Sequence, residues 1–63
     1  MSDDNEVLTL REVSKYLKIS TDALADLVRR HRIPAFKVGR QWRFRKSSID
    51  RWAEKQEQRA ILA

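Results

Sequence analysis

The chemistry most visible in this sequence is positive charge. Between Arg29 and Lys46 stand Arg29, Arg30, Arg32, Lys37, Arg40, Arg43, Arg45 and Lys46, with no aspartate or glutamate among them. Guanidinium and ammonium groups grouped in this way attract a polyanion at long range. A run of charge alone equally suits a solvated surface. The interleaved Phe36, Trp42 and Phe44 favour the polyanion reading, because aromatics pin the backbone that carries the cations. Other chemistries have little material. His31 is the only histidine and cysteine is absent, so no cluster of soft ligands can form, and neither a metal nor another cofactor is expected. Ser14, His31 and Asp22 supply the residue types of a hydrolytic triad and nothing more, and a 63-residue chain can hardly bury such an assembly. No catalysis is expected.

The elements that must hold these cations belong to one small domain, since a chain of this size buries only about 60% of the surface its unfolded form exposes. The net charge of +5 understates the imbalance. Asp3, Asp4 and Glu6 lie in an acidic stretch without periodicity, read as a flexible tail over 1–7, and from Leu8 onward 14 basic residues meet 6 acids. The lack of cysteine excludes a disulfide framework and suits a reducing cytoplasm. Apolar runs of at most four residues exclude a membrane span, and no membrane or small-molecule partner is expected. The expected location is cytoplasmic.

Thr9 and Glu12 form a T-x-x-E capping signature, which predicts a first helix from Leu10 to Leu17 with Leu10, Val13 and Leu17 inward. Ser20 is a good N-cap for a second helix reaching about Arg30, with Asp22 at the positive end of its dipole and Leu24, Leu27 and Val28 on its apolar face. Pro34 requires that helix to stop before Ile33. Pro34–Val38 and Trp42–Arg45 read as the two strands of a hairpin. Face parity favours a three-residue loop, Gly39-Arg40-Gln41, pairing Val38 with Trp42, Lys37 with Arg43 and Phe36 with Phe44. That register puts the aromatics inward and leaves Lys37, Arg43 and Arg45 outward. Ser47 or Ser48 is expected to cap a third helix with Ile49, Trp52, Ala53 and Gln56 on one face and exposed charge neighbours among Asp50, Arg51, Glu54 and Lys55. Residues 8–57 form the expected domain, and 58–63 either extend the third helix or fray. Tyr16 and Trp52 read as core.

Val13, Leu17, Ile19, Leu24 and Leu27 fall where a helix-turn-helix needs its buried contacts, with Ser14 at the close-packed position between the helices. The order Leu8-Thr9-Leu10-Arg11-Glu12-Val13-Ser14-Lys15-Tyr16-Leu17, then Ile33-Pro34-Ala35-Phe36-Lys37-Val38-Gly39-Arg40-Gln41-Trp42-Arg43-Phe44-Arg45, then a helix with Ile49 and Trp52, resembles the excisionase-type DNA-binding domains, relatives of the MerR N-terminal domain. The resemblance covers Leu8 to Glu54 and is most specific over Ile33–Phe44. It implies an α+β fold, a small winged helix-turn-helix in the order helix-helix-strand-strand-helix, whose second helix enters the major groove of double-stranded DNA while the hairpin wing reaches the backbone or minor groove. It assigns Arg43 to the DNA backbone. The chain departs from the family pattern at His31, where glycine is usual, and at Ala25 and Asp26, which replace an aromatic and a basic residue.

The second helix is therefore acidic on its outward side. Asp22 either accepts from a cytosine amino group, with Thr21 and Arg29 on base edges or phosphates, or simply serves the helix dipole. Asp26 is expected to pair with Arg30 four residues on. The expected DNA-binding set is Thr21, Asp22, Arg29, Arg30, Lys37, Arg40, Gln41, Arg43 and Arg45, weighted towards the wing. A charged edge hairpin also discourages strand-to-strand aggregation, and both roles are compatible. The expected function is DNA binding in site-specific recombination or transcription regulation, with a second copy or partner protein on the DNA. The alternative is a protein-interaction module on the same fold.

Overall fold

The computed structural model describes residues 6–62 and starts with a strand absent from the sequence expectations, β1 (Val7–Thr9). It is followed by α1 (Leu10–Leu17), α2 (Thr21–Arg29), β2 (Phe36–Val38), β3 (Gln41–Arg45) and α3 (Lys46–Leu62). The expected helix-helix-strand-strand-helix order is present with β1 in front of it, and the sheet order is β1-β3-β2. β1 pairs antiparallel with β3, Val7 opposite Arg45, Leu8 opposite Phe44 and Thr9 opposite Arg43. Val7 thus belongs to the sheet and not to a tail. Of the rest of the expected acidic tail, Glu6 is tied to the start of α3 through its carbonyl, and residues 1–5 lie outside the described residues.

The boundaries of α1 and α2 have local chemical causes. The Thr9 hydroxyl accepts from the Glu12 amide at 3.1 Å and the Glu12 carboxylate accepts from the Thr9 amide at 2.8 Å, a complete capping box. The Ser20 hydroxyl accepts from the Ala23 amide at 3.0 Å at the start of α2. Both helices stop at a left-handed residue, Lys18 at φ 60° and His31 at φ 56°. The Ile19 amide donates to Ser14 O at 3.0 Å and the Arg32 amide to Leu27 O at 2.9 Å, which closes a Schellman turn in each case. His31 therefore adopts the backbone that glycine adopts readily. Left-handed backbone costs a side-chain-bearing residue about 1–2 kcal/mol, partly offset by glycine's greater freedom when unfolded. Lys18→Gly and His31→Gly are each expected to stabilise the domain by about 1 kcal/mol, raising the thermal midpoint by roughly 4–8 °C. A lower midpoint in either variant would mean that the native side chain makes contacts worth more than the strain.

The core lies between the helices and one face of the sheet. Val13, Leu24, Phe44 and Ile49 are fully buried, with Leu8, Val28 and Ile33 almost so, and Leu10, Leu17, Ile19, Leu27 and Trp52 pack around them. Ser14 is buried, and its hydroxyl donates to Arg11 O at 2.8 Å. That bond satisfies the one polar group which a serine brings to this buried position.

The hairpin register differs from the expectation. Val38 pairs with Gln41, Lys37 with Trp42 and Phe36 with Arg43, across a two-residue Gly39-Arg40 turn. Gly39 has φ 64°, and Arg40 is not among the residues of positive φ, which is the pattern of a turn with glycine at its first central position. A three-residue loop would have needed its left-handed residue at Gln41. Consequently Lys37 shares the inner face with Trp42, its ammonium 5.0 Å from the ring centroid. Phe36 and Val38 stand on the outer face, 39% and 56% exposed. Parity failed because it required every apolar side chain to face inward. β2 is an edge strand, and on its inner side stands Lys37, with its ammonium over the Trp42 ring, instead of an apolar side chain.

Two expectations for α3 and α1 also change. α3 starts at Lys46 directly after β3, so Ser47 and Ser48 lie inside the helix and neither is its cap; the Lys46 amide donates to Glu6 O at 2.9 Å. Tyr16 is not core. It is 49% exposed, its hydroxyl donates to Asp50 Oδ1 at 2.5 Å, and Lys46 Nζ lies 5.4 Å from its ring centroid and 3.0 Å from Asp50 Oδ2. The Tyr16 hydrogen bond, then that of Lys46, holds the Asp50 carboxyl below the ordinary carboxylate range. The same bond to Asp50 holds the Tyr16 phenol above its ordinary value. A depressed acid stabilises the fold above its unfolded pKa, about 4, and loses that contribution as pH falls through the lower folded value. A raised phenol contributes below about pH 10 and loses its share as pH rises through the folded value. The cluster's contribution is therefore level across neutral pH. Asp50→Asn is expected to flatten the acid limb of the stability curve below about pH 4 while leaving the neutral region parallel to the parent. An acid limb of unchanged steepness would show that other carboxylates set it.

Candidate nucleic-acid interface

The cations of the hairpin are positioned by β3, whose inner face is anchored by the fully buried Phe44 and the half-buried Trp42. Alternation along the strand then turns Gln41, Arg43 and Arg45 outward together. The Arg43 guanidinium lies back along its own strand, donating to Gln41 Oε1 at 2.8 Å and to Trp42 O at 2.9 Å. These two bonds hold a long side chain that would otherwise sample many rotamers, leaving less entropy to be lost on contact with an anion. Arg45 is exposed opposite Val7, and Arg40 is exposed at the tip of the turn beside Gly39.

The outer sheet face is thus mixed, with Arg43, Arg45 and Gln41 beside Thr9, Val7, Phe36 and Val38. Lys37, expected with Arg43 and Arg45, lies on the opposite side of the hairpin against Trp42. The wing cations therefore surround the hairpin on two faces and its tip instead of forming one rim. Sequence reasoning passed over Arg11. With Thr9, Leu10, Gln41, Trp42 and Arg43 it lines a depression between the start of α1 and the wing. Only the unexpected pairing of β1 with β3 brings the start of α1 to this place.

On α2, Thr21 and Asp22 are exposed in the first turn, directly after the Ser20 cap. Asp26 pairs with Arg30 at 3.1 Å, as the spacing suggested, and also approaches Arg29 at 3.6 Å. Its carboxylate is thereby matched within the helix, while both arginines remain about two-thirds exposed. Asp22 has no ion-pair partner among the described residues.

Among the described residues no group of three or more His, Cys, Asp or Glu side chains could hold a metal ion, and no helix is long and apolar enough to cross a membrane. The Ser14 hydroxyl is engaged by the Arg11 carbonyl, whereas Asp22 and His31 are exposed at opposite ends of α2. The chain matches the family model described as a helix-turn-helix domain over residues 7–57, a family related to the excisionase-type domains. No curated protein matches it, and no solved structure does.

Proposed function

Since the chain belongs to the helix-turn-helix domain family, we propose that it binds double-stranded DNA without catalysing a reaction, through the wing and the first turns of α2. The observation that carries this reading is the stretch from Arg29 to Lys46, eight cations and no acid, of which Lys37, Arg40, Arg43 and Arg45 stand on a hairpin anchored in the core. In this reading Arg40, Arg43 and Arg45 contact phosphates, with Lys37 on the far side of the hairpin reaching the same backbone. Gln41 orients Arg43, and Thr21 and Asp22 meet base edges or phosphates. Arg29 and Arg30 contribute charge while sharing Asp26. The role is that of an excisionase-like architectural factor or a transcription regulator.

A single copy making about four to six phosphate contacts binds weakly, so a second copy or a partner protein on the same DNA supplies the rest of the affinity. The experiment is a titration of labelled duplex at about 50 and 200 mM salt. Four to six contacts predict a loss of roughly 10²–10³-fold in affinity across that range. Affinity indifferent to salt would overturn the proposal. The rival reading, a protein-interaction module, rested on the acidity of α2, and the Asp26 ion pairs account for half of that acidity.

A further inference from the structure

Beyond Lys46, the cations of the third helix have no part in the wing and α2 surface. Arg51, Lys55 and Arg59 recur every four residues, so they stand on one flank of α3, about 6 Å apart along its axis. Like charges at this spacing disfavour a helix, and so their alignment calls for something outside it. The same flank forms one wall of a trough. Three shallow depressions run end to end, the first joined to the second through Pro34 and Ser48 and the second to the third through Trp52 and Lys55. The opposite wall is the connection from His31 to Phe36, tied to α3 by the Trp52 indole, which donates to Arg32 O at 2.6 Å. Arg32, Arg45, Arg51, Lys55 and Arg59 line the trough, and among the described residues no carboxylate does.

We infer that this trough is a second nucleic-acid surface, which takes the sugar-phosphate backbone flanking the segment held by the wing. The inference rests on the DNA-binding reading above and extends it to residues outside the Arg29–Lys46 run. A polyanion fits better than an acidic protein surface. The other flank of α3 carries Asp50, Glu54 and Glu57, with Arg51 on its border with the trough, and a second copy docking that flank would bring only the Glu54 and Glu57 carboxylates to five cations, because Asp50 is already held by Tyr16 and Lys46. Arg45 stands at one end of the trough and on the outer sheet face, which makes the trough continuous with the wing.

The test compares duplex binding across a salt series for the full chain, for Lys55→Gln/Arg59→Gln, and for Glu54→Gln/Glu57→Gln. Glutamine preserves helix propensity, and circular dichroism checks that each variant is folded. Loss of two phosphate contacts lowers the slope of log K against log salt by about 1.8, with a roughly tenfold or greater loss of affinity at 50 mM salt. The glutamate variant is expected to bind as well as the parent or better. An unchanged slope for Lys55→Gln/Arg59→Gln, in a parent whose own binding is salt-dependent, overturns the trough and leaves the wing reading standing. Equal loss in both double variants overturns it in favour of contact between copies. A parent that fails to bind duplex at low salt overturns both readings together.

Discussion

Arg40→Ala, Arg43→Ala and Arg45→Ala combined are expected to reduce duplex affinity about 10²-fold or more near 100 mM salt and to lower the salt slope by about 2.7. The three side chains occupy the tip and outer face of the hairpin, where none contributes to the buried core. Their removal should therefore leave the fold intact, which thermal denaturation can verify. The single variants are expected to be unequal. Arg43 is already ordered by Gln41 and by the Trp42 carbonyl, so it loses less freedom on contact than the exposed Arg40. Gln41→Ala should consequently weaken binding without removing a cation, and its salt slope should match that of the parent. A folded triple variant with parental affinity and slope would show that the wing is not the binding surface.

Phe44→Ala is expected to remove from about a third to all of the domain's stability at room temperature. Phe44 is fully buried, faces Leu8 across β1–β3 and stands in the central strand of the sheet. Truncating such a phenylalanine costs about 3–5 kcal/mol. A domain of this length has a total stability of roughly 3–9 kcal/mol. Phe36→Ala is the informative contrast. In the expected register Phe36 would have been Phe44's inward partner, and the two substitutions would have cost similar amounts. On the outer face it should cost about 1 kcal/mol or less. Chemical denaturation followed by far-ultraviolet circular dichroism separates these outcomes, and a Phe36→Ala variant as damaged as Phe44→Ala would overturn the observed register.

The helices were legible because their causes are local. Thr9 with Glu12 and Ser20 with Ala23 lie three residues apart, and Asp26 with Arg30 four, so sequence spacing already is spatial proximity. The starts of α1 and α2 follow from the caps directly. β1 was illegible for the opposite reason. Val7, Leu8 and Thr9 are too few to display a period, and what makes them a strand is a ladder to residues 43–45. Tyr16 misled through its type, since a large ring at the flank of an apolar stripe reads as core until the position of Asp50 on another helix is known. The register was partly legible. Gly39 as the first residue after Val38 favours the two-residue turn, but the requirement that all aromatics face inward outweighed that signal. Of the candidate site, residue identities were readable from charge alone. Their division between two faces of the hairpin depended on register, and the contribution of Arg11 depended on β1.

The placement of β3 between two edge strands also sets a timetable. Its amides bond to neighbours on both sides and its inner residues reach the centre of the core, so they exchange with solvent only when the whole domain opens. β2 is held from one side, is three residues long and is exposed throughout, so it can detach and reclose many times within the lifetime of the folded state. The arginines of β3 remain seated on the slow strand during each excursion. Lys37 moves with the fast one, so a ligand that needs both must wait for the hairpin to close, and by binding it slows the exchange of β2 without altering that of β3.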